Sequence, residues 1–389
     1  MTRTNCRTTS NTKSSTISDT PPVVPGANVS RRHALKTLVA APMAAAPVAA
    51  APLATPALAQ GRVEWRMVTS WPKNLPGPGV SARRISERVA ALSDGAFTIK
   101  LYAAGEIVPA LEVFQAVSSG IAQLGHTAAL FWGAKLPAAP LFTAGPFGLT
   151  PLEHITWINH GGGQAVWDAL YAPYNLKPLM GGNTGYQMGG WYKTELSGLG
   201  DLKGLKIRMP GLGGAVMRRL GATPVTLAPG EILSSLQTGA IDATEFLGPA
   251  SDFAMGFYKA APFYYAPGFH EPNGSGEALI ARDAFEALPT HFQAILEAAC
   301  AEENIRSLGE IEWQNAERLQ ALVEEKGVKL RDYPTDILDA ARLATSEVLE
   351  DVANTDAESR AVVDSFLNAS RHQKDWSRLS LEKFLSARS

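Results

Sequence analysis

The sequence predicts an α/β protein of two lobes, and three observations point there. From residue 63 to residue 281, short strand-like apolar runs alternate with amphipathic helical ones. No linker in that span is long enough to divide independent domains, and no internal repeat is visible. After residue 283 the alternation stops, and long helical patterns suited to bracing two lobes or meeting a partner take over. With 389 residues, 46% hydrophobic and 19% charged, the chain is large enough for two cores. Two lobes that exchange strands fit this rhythm better than two separate beads.

Residues 1–28 are polar, rich in Ser, Thr, Asn and Pro, and are expected to be disordered. Ser30-Arg31-Arg32-His33-Ala34-Leu35-Lys36 follows, then an Ala/Pro/Val-rich stretch ending Ala57-Leu58-Ala59 before Gln60. A basic pair, a weakly apolar stretch and an A-x-A end match a bacterial export signal. The paired arginines resemble the twin-arginine type, whose substrates cross already folded. Pro42, Pro47, Pro52 and Pro56 argue against a stable spanning helix. The expectation is a leader over 1–59 and a mature protein of the periplasm. The formal net charge is -2, and the leader carries six basic residues against one acid. The remainder is therefore acidic, and nothing suggests a nucleic-acid partner. Cys6 falls in the leader, so a mature product holding only Cys300 has no internal disulfide to form.

Along the mature chain, Val63–Thr69 reads as a strand and Trp71–Gly79, with three prolines, as a loop. A helix over Val80–Leu92, a strand over Phe97–Tyr102 and a short helix over Leu111–Val117 lead to a strand-like turn at Gly125–Thr127. Helices over Leu152–Ile158 and Gln164–Leu170 are split by Gly161–Gly163, and Leu176–Gly181 is the next strand. Ile207–Met209, Val216–Leu220, Val225–Leu227 and Ile232–Leu236 repeat the rhythm. Ile241–Ala243 is short and apolar enough to cross between lobes, and Ala278–Ala281 is a further strand. Helices are expected over Phe292–Val323, Asp336–Val352 and Glu358–Phe366. These boundaries predict a first lobe near 60–155 and 241–273, a second near 175–240 and 274–330, and C-terminal helices near 334–389.

The residues able to carry chemistry cluster in Asn183–Gly213, Ala243–Pro249 and Pro267–Pro272. Arg208 stands alone in an apolar strand, on the face opposite Ile207 and Met209, ahead of the glycine-rich run Pro210–Gly214. Its planar fork suits a bidentate carboxylate, and the helix after it could offer backbone N–H groups. A structural ion pair with a nearby acid is the plainer reading. Gln187, Glu245 and Glu271 are oxygen donors of the kind favoured by sodium, calcium or magnesium, although their wide spacing does not establish that they converge. His126, His270 and His291 lack zinc-like spacing. Gly211-x-Gly213 has Val216 where a dinucleotide loop needs a third glycine, and no phosphate loop, GxSxG or HExxH run occurs. Asp242 and Glu245 would face opposite ways on a strand, so catalysis has no visible constellation. Trp71, Phe131, Trp132, Trp191, Tyr192, Phe246, Tyr264 and Tyr265 could line a dry cleft, though most should be core.

The runs TSWPKNLPGPG at 69–79, GNTGYQMGGW at 182–191, IRMPGLGG at 207–214, IDATEFLGP at 241–249 and HEP at 270–272 give the sequence a family. Over essentially all of 61–389 it resembles the DctP-type extracytoplasmic solute-binding proteins of TRAP transporters. It is most similar to the branch that takes 2-oxo and 2-hydroxy monocarboxylates. The resemblance implies a periplasmic-binding-protein-like fold, two hinged α/β lobes closing on a small organic acid, with no catalysis. It implies Arg208 as the carboxylate clamp and Asn183 as a hydrogen-bond partner of the ligand. Gln187, Glu245, the Phe246 carbonyl and Glu271 would hold a cation, sodium foremost or calcium in its place. Phe246 stands where that branch usually has tryptophan. The implied partners are a small and a large membrane subunit, and a second copy joined through the C-terminal helices. Two readings of other classes remain open from the residues: an enzyme acting on a small carboxylate, and a protein that presents its ligand to a sensor.

Overall fold

The computed structural model describes residues 61–388, so the expected leader and its twin-arginine-type signal lie outside the described residues. In chain order the strands are β1 Val63–Thr69, β2 Phe97–Tyr102, β3 Leu124–Thr127, β4 Leu176–Asn183, β5 Gly190–Tyr192 and β6 Lys206–Arg208. They continue as β7 Thr223–Val225, β8 Ala243–Thr244, β9 Phe263–Ala266, β10 Ser275–Ala281 and β11 Lys329–Asp332. The helices are α1 Pro78–Leu92, α2 Val113–Ser118, α3 Pro151–His160, α4 Gly163–Tyr171, α5 Gly211–Arg219 and α6 Ile232–Thr238. After them come α7 Pro249–Met255, α8 Arg282–Glu286, α9 Thr290–Glu324, α10 Thr335–Ala353, α11 Ala357–Ser377 and α12 Lys383–Arg388.

Two sheets result. The first has the order β2-β1-β3-β10-β4, parallel through β2, β1 and β3 and antiparallel at β10. One face of this sheet packs Trp65, Met67, Phe97 and Ile280 against Ile85 and Val89 of α1 and Phe292 and Leu296 of α9. Its other face joins the larger core, where Val68 and Leu279 meet Phe114 of α2 and Trp167 of α4. All seven residues of β10 are buried, as in a strand covered on both faces; its Ala278–Ala281 end is apolar, and its one acid, Glu277, is held by a hydrogen bond from Trp132. The second sheet has the order β11-β9-β5-β8-β6-β7. Its core includes Trp191 stacked on Tyr264, with ring centroids 4.0 Å apart.

The strand pairings correct the expected lobe boundaries. β8 lies between β5 and β6, so Ile241–Ala243 leads into the second sheet rather than crossing between lobes. β9 belongs there as well, whereas β4 and β10 are neighbours in the first sheet. The chain passes between the sheets over residues 184–189 and returns over 267–274, and α9 then leads to β11 in the second sheet. The strands β5, β9 and β11 were missing from the sequence reading. β5 is three residues long and starts at a glycine, β9 is aromatic without alternation, and β11 reads KLRD.

The C-terminal helices fold back on the body. α10 and α11 pack on each other, with α5 beneath α10 and α4 beneath α11. Val362, Val363 and Phe366 bury the expected face of α11, with Leu367 only half-buried. Further on, Trp376, Leu379, Phe384 and Leu385 are exposed. Among the described residues, no helix is long and apolar enough to cross a membrane.

Candidate functional site

Arg208 ends β6, a strand flanked by parallel neighbours β8 and β7. Alternation sends Ile207 into the large core and Arg208 the other way. The chain turns immediately at Pro210 into α5. Gly214 is required at that turn, because a Cβ there would lie 2.1 Å from the Met209 carbonyl oxygen. Across the β6–β8 pairing sits Glu245, whose backbone N–H donates to the Arg208 carbonyl at 3.0 Å. The Arg208 guanidinium returns the contact through Nη1, to the Glu245 carbonyl at 2.9 Å and to Glu245 Oε1 at 2.6 Å. The side chains of this pair are 3% and 1% exposed, so neither charge is solvated. The plainer reading of Arg208, a structural ion pair, is therefore realised. It is also incomplete: Arg208 Nε is buried and has no hydrogen-bond partner.

The two crossings between the sheets bring the other polar groups. Gln187, on the first, donates from Nε2 to Glu271 Oε2 on the second at 3.2 Å. Gln187 Oε1 is buried and receives no hydrogen bond. Gly274 lets the crossings approach, since a Cβ there would fall 2.0 Å from Thr184 Oγ1. Burial first, then the Glu245 carboxylate, pushes the Glu271 pKa well above the usual carboxylate range, while Arg208 and the Gln187 amide pull the other way. His270 was set aside in the sequence for want of zinc-like spacing, yet its Nε2 lies 3.2 Å from Glu245 Oε2. Ligand atoms of Glu245, His270 and Glu271 all fall within 4.8 Å of one another. Only the pairing of β6 with β8 and the folding together of the crossings create that proximity, so spacing along the chain could not signal it.

These groups face a cavity of about 40 Å³. At roughly 10–15 Å³ per water it has room for about three waters, so it suits a small molecule. Arg208, Gln187, Glu245, Phe246 and Glu271 line it. The Phe246 ring lies beside the guanidinium, with Arg208 Cζ 5.6 Å from its centroid. Asn183 does not line the cavity. Its amide nitrogen donates to Asn273 Oδ1 at 2.7 Å and its oxygen accepts from the Gly185 N–H at 2.8 Å, both within the crossings. Its amide is thus already engaged within the crossings, where the sequence reading expected a contact with the ligand.

Trp71, Leu130 and Phe131 form much of the apolar wall. Trp71 Nε1 donates to His126 Nδ1 at 2.8 Å, and His126 Nε2 lies 2.9 Å from the Gly181 carbonyl. Burial lowers the His126 pKa to about 4, so the ring is neutral, carries its proton on Nε2 and fixes the indole. The other aromatics of the sequence reading are core. Trp191 and Tyr264 hold Asp252, Tyr192 meets Tyr265 and Tyr333, and Trp132 donates to Glu277.

A buried arginine with an unmatched N–H, beside buried oxygen donors and under an apolar wall from the first lobe, lines one small enclosed cavity. The chain belongs to the DctP family of TRAP transporter solute-binding proteins: the pattern described as bacterial extracellular solute-binding protein, family 7, matches residues 70–356. It is 40% identical over 328 residues to a monocarboxylate 2-oxoacid-binding periplasmic protein of Nostoc sp., covering 84% of this chain and 90% of that one. A solved TRAP solute-binding protein of Bordetella bronchiseptica superposes with a TM-score of 0.82 at 35% identity, covering 84% of this chain and 98% of that chain. It was found as a dimer with calcium and picolinate in one site. Another, from Pseudoalteromonas atlantica, holds sodium and pyruvate, with a TM-score of 0.81, 34% identity and coverages of 84% and 99%. A third, from Colwellia psychrerythraea, holds calcium and pyruvate at 33% identity, with the same TM-score and coverages.

Proposed function

We propose that this chain is the periplasmic solute-binding subunit of a TRAP transporter, capturing a 2-oxo or 2-hydroxy monocarboxylate such as pyruvate or lactate together with a cation. The observation that carries this reading is a pair of opposite orphans. Arg208 Nε is a buried donor without an acceptor, and Gln187 Oε1 is a buried acceptor without a donor. Each costs about 1–3 kcal/mol while unmet. A carboxylate meets the first and a cation the second.

The charge count supports the same pairing. Arg208 is already engaged by Glu245, so a bound monocarboxylate adds a buried negative charge with no counter-charge of its own, and the raised pKa of Glu271 marks a second carboxyl group short of positive partners. Gln187, Glu245, Glu271 and the Phe246 carbonyl would hold a hard cation, sodium or calcium, which supplies the charge the cavity lacks. The donor set is oxygen apart from His270, and oxygen is what those ions prefer. The chain's own part is to orient the acid with Arg208, exclude water with Trp71 and Phe131, and keep the Glu245 carboxylate fixed between Arg208 and His270. This is capture rather than turnover, and the solute is handed to the small and large membrane subunits. The exposed Trp376, Leu379, Phe384 and Leu385 support a homodimer through the C-terminal helices, which sedimentation of the mature protein would report as twice the monomer mass.

Calorimetry with pyruvate tests the central claim. Tight binding is expected with sodium or calcium present, and at least a tenfold weaker affinity after chelation and replacement of sodium by a large organic cation. Equal affinity in both conditions overturns the cation; absence of binding by pyruvate, lactate and longer 2-oxo acids overturns the ligand class.

A further inference from the structure

The buried cavity has to be reached from outside, and two grooves lie along the seam between the lobes. The first, of about 510 Å³, runs between Pro72 and Glu112 on one side and Gly230 and Glu231 on the other. Its charged lining is acidic, and it shares no lining residue with the buried cavity. The second, of about 600 Å³, lies between residues 130–137 of the first lobe and α5 of the second, with α10 alongside. Leu130 and Phe131 line both this groove and the buried cavity. Two side chains are thus all that is common to the inner space and the outer one, and both are only half-buried. Every charged residue of the binding cavity, by contrast, is buried.

The charges in the second groove are Arg218, Arg219 and Asp351. Arg219 is neutralised by Glu347 and Asp351. Arg218 is exposed on α5 and takes part in none of the ion pairs among the described residues. It is one free positive charge beside the Leu130–Phe131 wall, where a negative solute would have to pass.

We infer that this groove is the mouth through which the acid enters before the first lobe closes over it, Arg218 being the cation that draws it in and Phe131 the side chain at its threshold. The inference rests on the proposed function, since it needs an anionic solute. A free charge at the mouth raises the rate of encounter and is screened by salt, while it leaves the bound complex almost untouched. The opposite groove, lined by Glu112 and Glu231, repels the same solute.

Stopped-flow tryptophan fluorescence with pyruvate, in calcium-containing buffer of low ionic strength, separates these effects, because Trp71 lines the cavity. The charge control is Arg62→Glu, which alters net charge equally. Arg62 precedes β1, whose seven residues at about 3.3 Å each carry the chain roughly 20 Å before it reaches Trp71. Arg218→Glu is expected to lower the association rate constant by about threefold to tenfold, to leave the dissociation rate within twofold, and to match wild type again near 0.5 M salt. Arg62→Glu should stay within twofold throughout. Phe131→Ala should raise both rate constants. An Arg218→Glu association rate equal to that of Arg62→Glu, or a change confined to dissociation, overturns the route. Failure of the wild-type protein to bind pyruvate at equilibrium would instead count against the parent reading, so the two failures are told apart before any variant is made.

Discussion

The wall that the first lobe turns toward the cavity carries Trp71, Ala128, Leu130, Phe131 and Thr143, none of them ionisable. The second lobe brings Arg208 and Glu245, and the crossings between the sheets bring Gln187 and Glu271. Charge is therefore segregated onto one lobe and the hinge segments, and apolar surface onto the other. The orphaned atoms follow the same division: Arg208 Nε is on the second lobe and Gln187 Oε1 on a crossing. A small acid and its counter-ion can satisfy both atoms without the first lobe, whose contribution is to shut out water. Removing water strengthens each interaction already made, because the effective dielectric falls. On the proposed function the two lobes, of the same fold class, would do unlike work, one recognising and the other sealing.

The largest expected effect tests the recognising half. Arg208→Ala should cost pyruvate about 3–5 kcal/mol, roughly 10² to 10³ or more in affinity, because it removes the clamp and leaves Glu245 buried without its cation. Arg208→Lys keeps the charge but loses the planar fork, and is expected to recover little of that loss. Calorimetry decides the matter, and an Arg208→Ala protein that folds and binds within threefold of wild type would break the division of labour.

Next in size is a test that the first lobe's own buried acid stays out of recognition. Glu277 on β10 accepts from Trp132 Nε1 at 3.0 Å and does not line the cavity. Burial is the main cause that raises its pKa from 4.5 to about 7. Between those values the folded chain holds a proton that the unfolded chain has released, so stability falls as pH rises from about 4.5 to about 7 and levels off above. The shift corresponds to about 3 kcal/mol. Glu277→Gln should flatten that slope in denaturant unfolding at pH 5 and pH 8 while leaving pyruvate affinity within twofold. Asp252, raised to about 7 mainly by burial, preserves part of the slope in the variant. A lost affinity in Glu277→Gln would place an acid of the sealing lobe in the site and undo the contrast.

The sequence made much of this legible and for identifiable reasons. Strands β1 and β2 matched their alternation residue for residue, and the long helices α9 and α10 matched within two residues, because their apolar periods are uninterrupted. Arg208, Gln187, Glu245, Phe246 and Glu271 were legible through the runs IRMPGLGG, GNTGYQMGGW, IDATEFLGP and HEP, and the structure brings them to one cavity. Asn183 shares a run with Gln187, but its amide is engaged by Asn273 and Gly185 and it does not line the cavity. His270 was invisible as a neighbour of Glu245 because 25 residues separate them and only the tertiary fold closes that gap. The lobe boundaries failed for a related reason. An apolar run such as Ile241–Ala243 fits the middle of either sheet, and nothing local says which partners take its hydrogen bonds.

The smallest effect belongs to the sealing half and sharpens the contrast most. Trp71 makes no charged contact; its indole is fixed by His126 and its ring faces Phe131, with centroids 6.1 Å apart. Trp71→Phe keeps an aromatic wall but loses the anchor on His126, and should weaken pyruvate binding by about threefold to tenfold, in line with one lost neutral hydrogen bond. On the proposed function the first lobe closes over a solute already held by Arg208, so the loss is expected in the dissociation rate, with association within twofold. Cation dependence should persist in full, because Gln187, Glu245 and Glu271 are untouched. If Trp71→Phe instead abolished the cation dependence, the apolar wall would be organising the oxygen donors, and recognition could no longer be assigned to one lobe and its hinges.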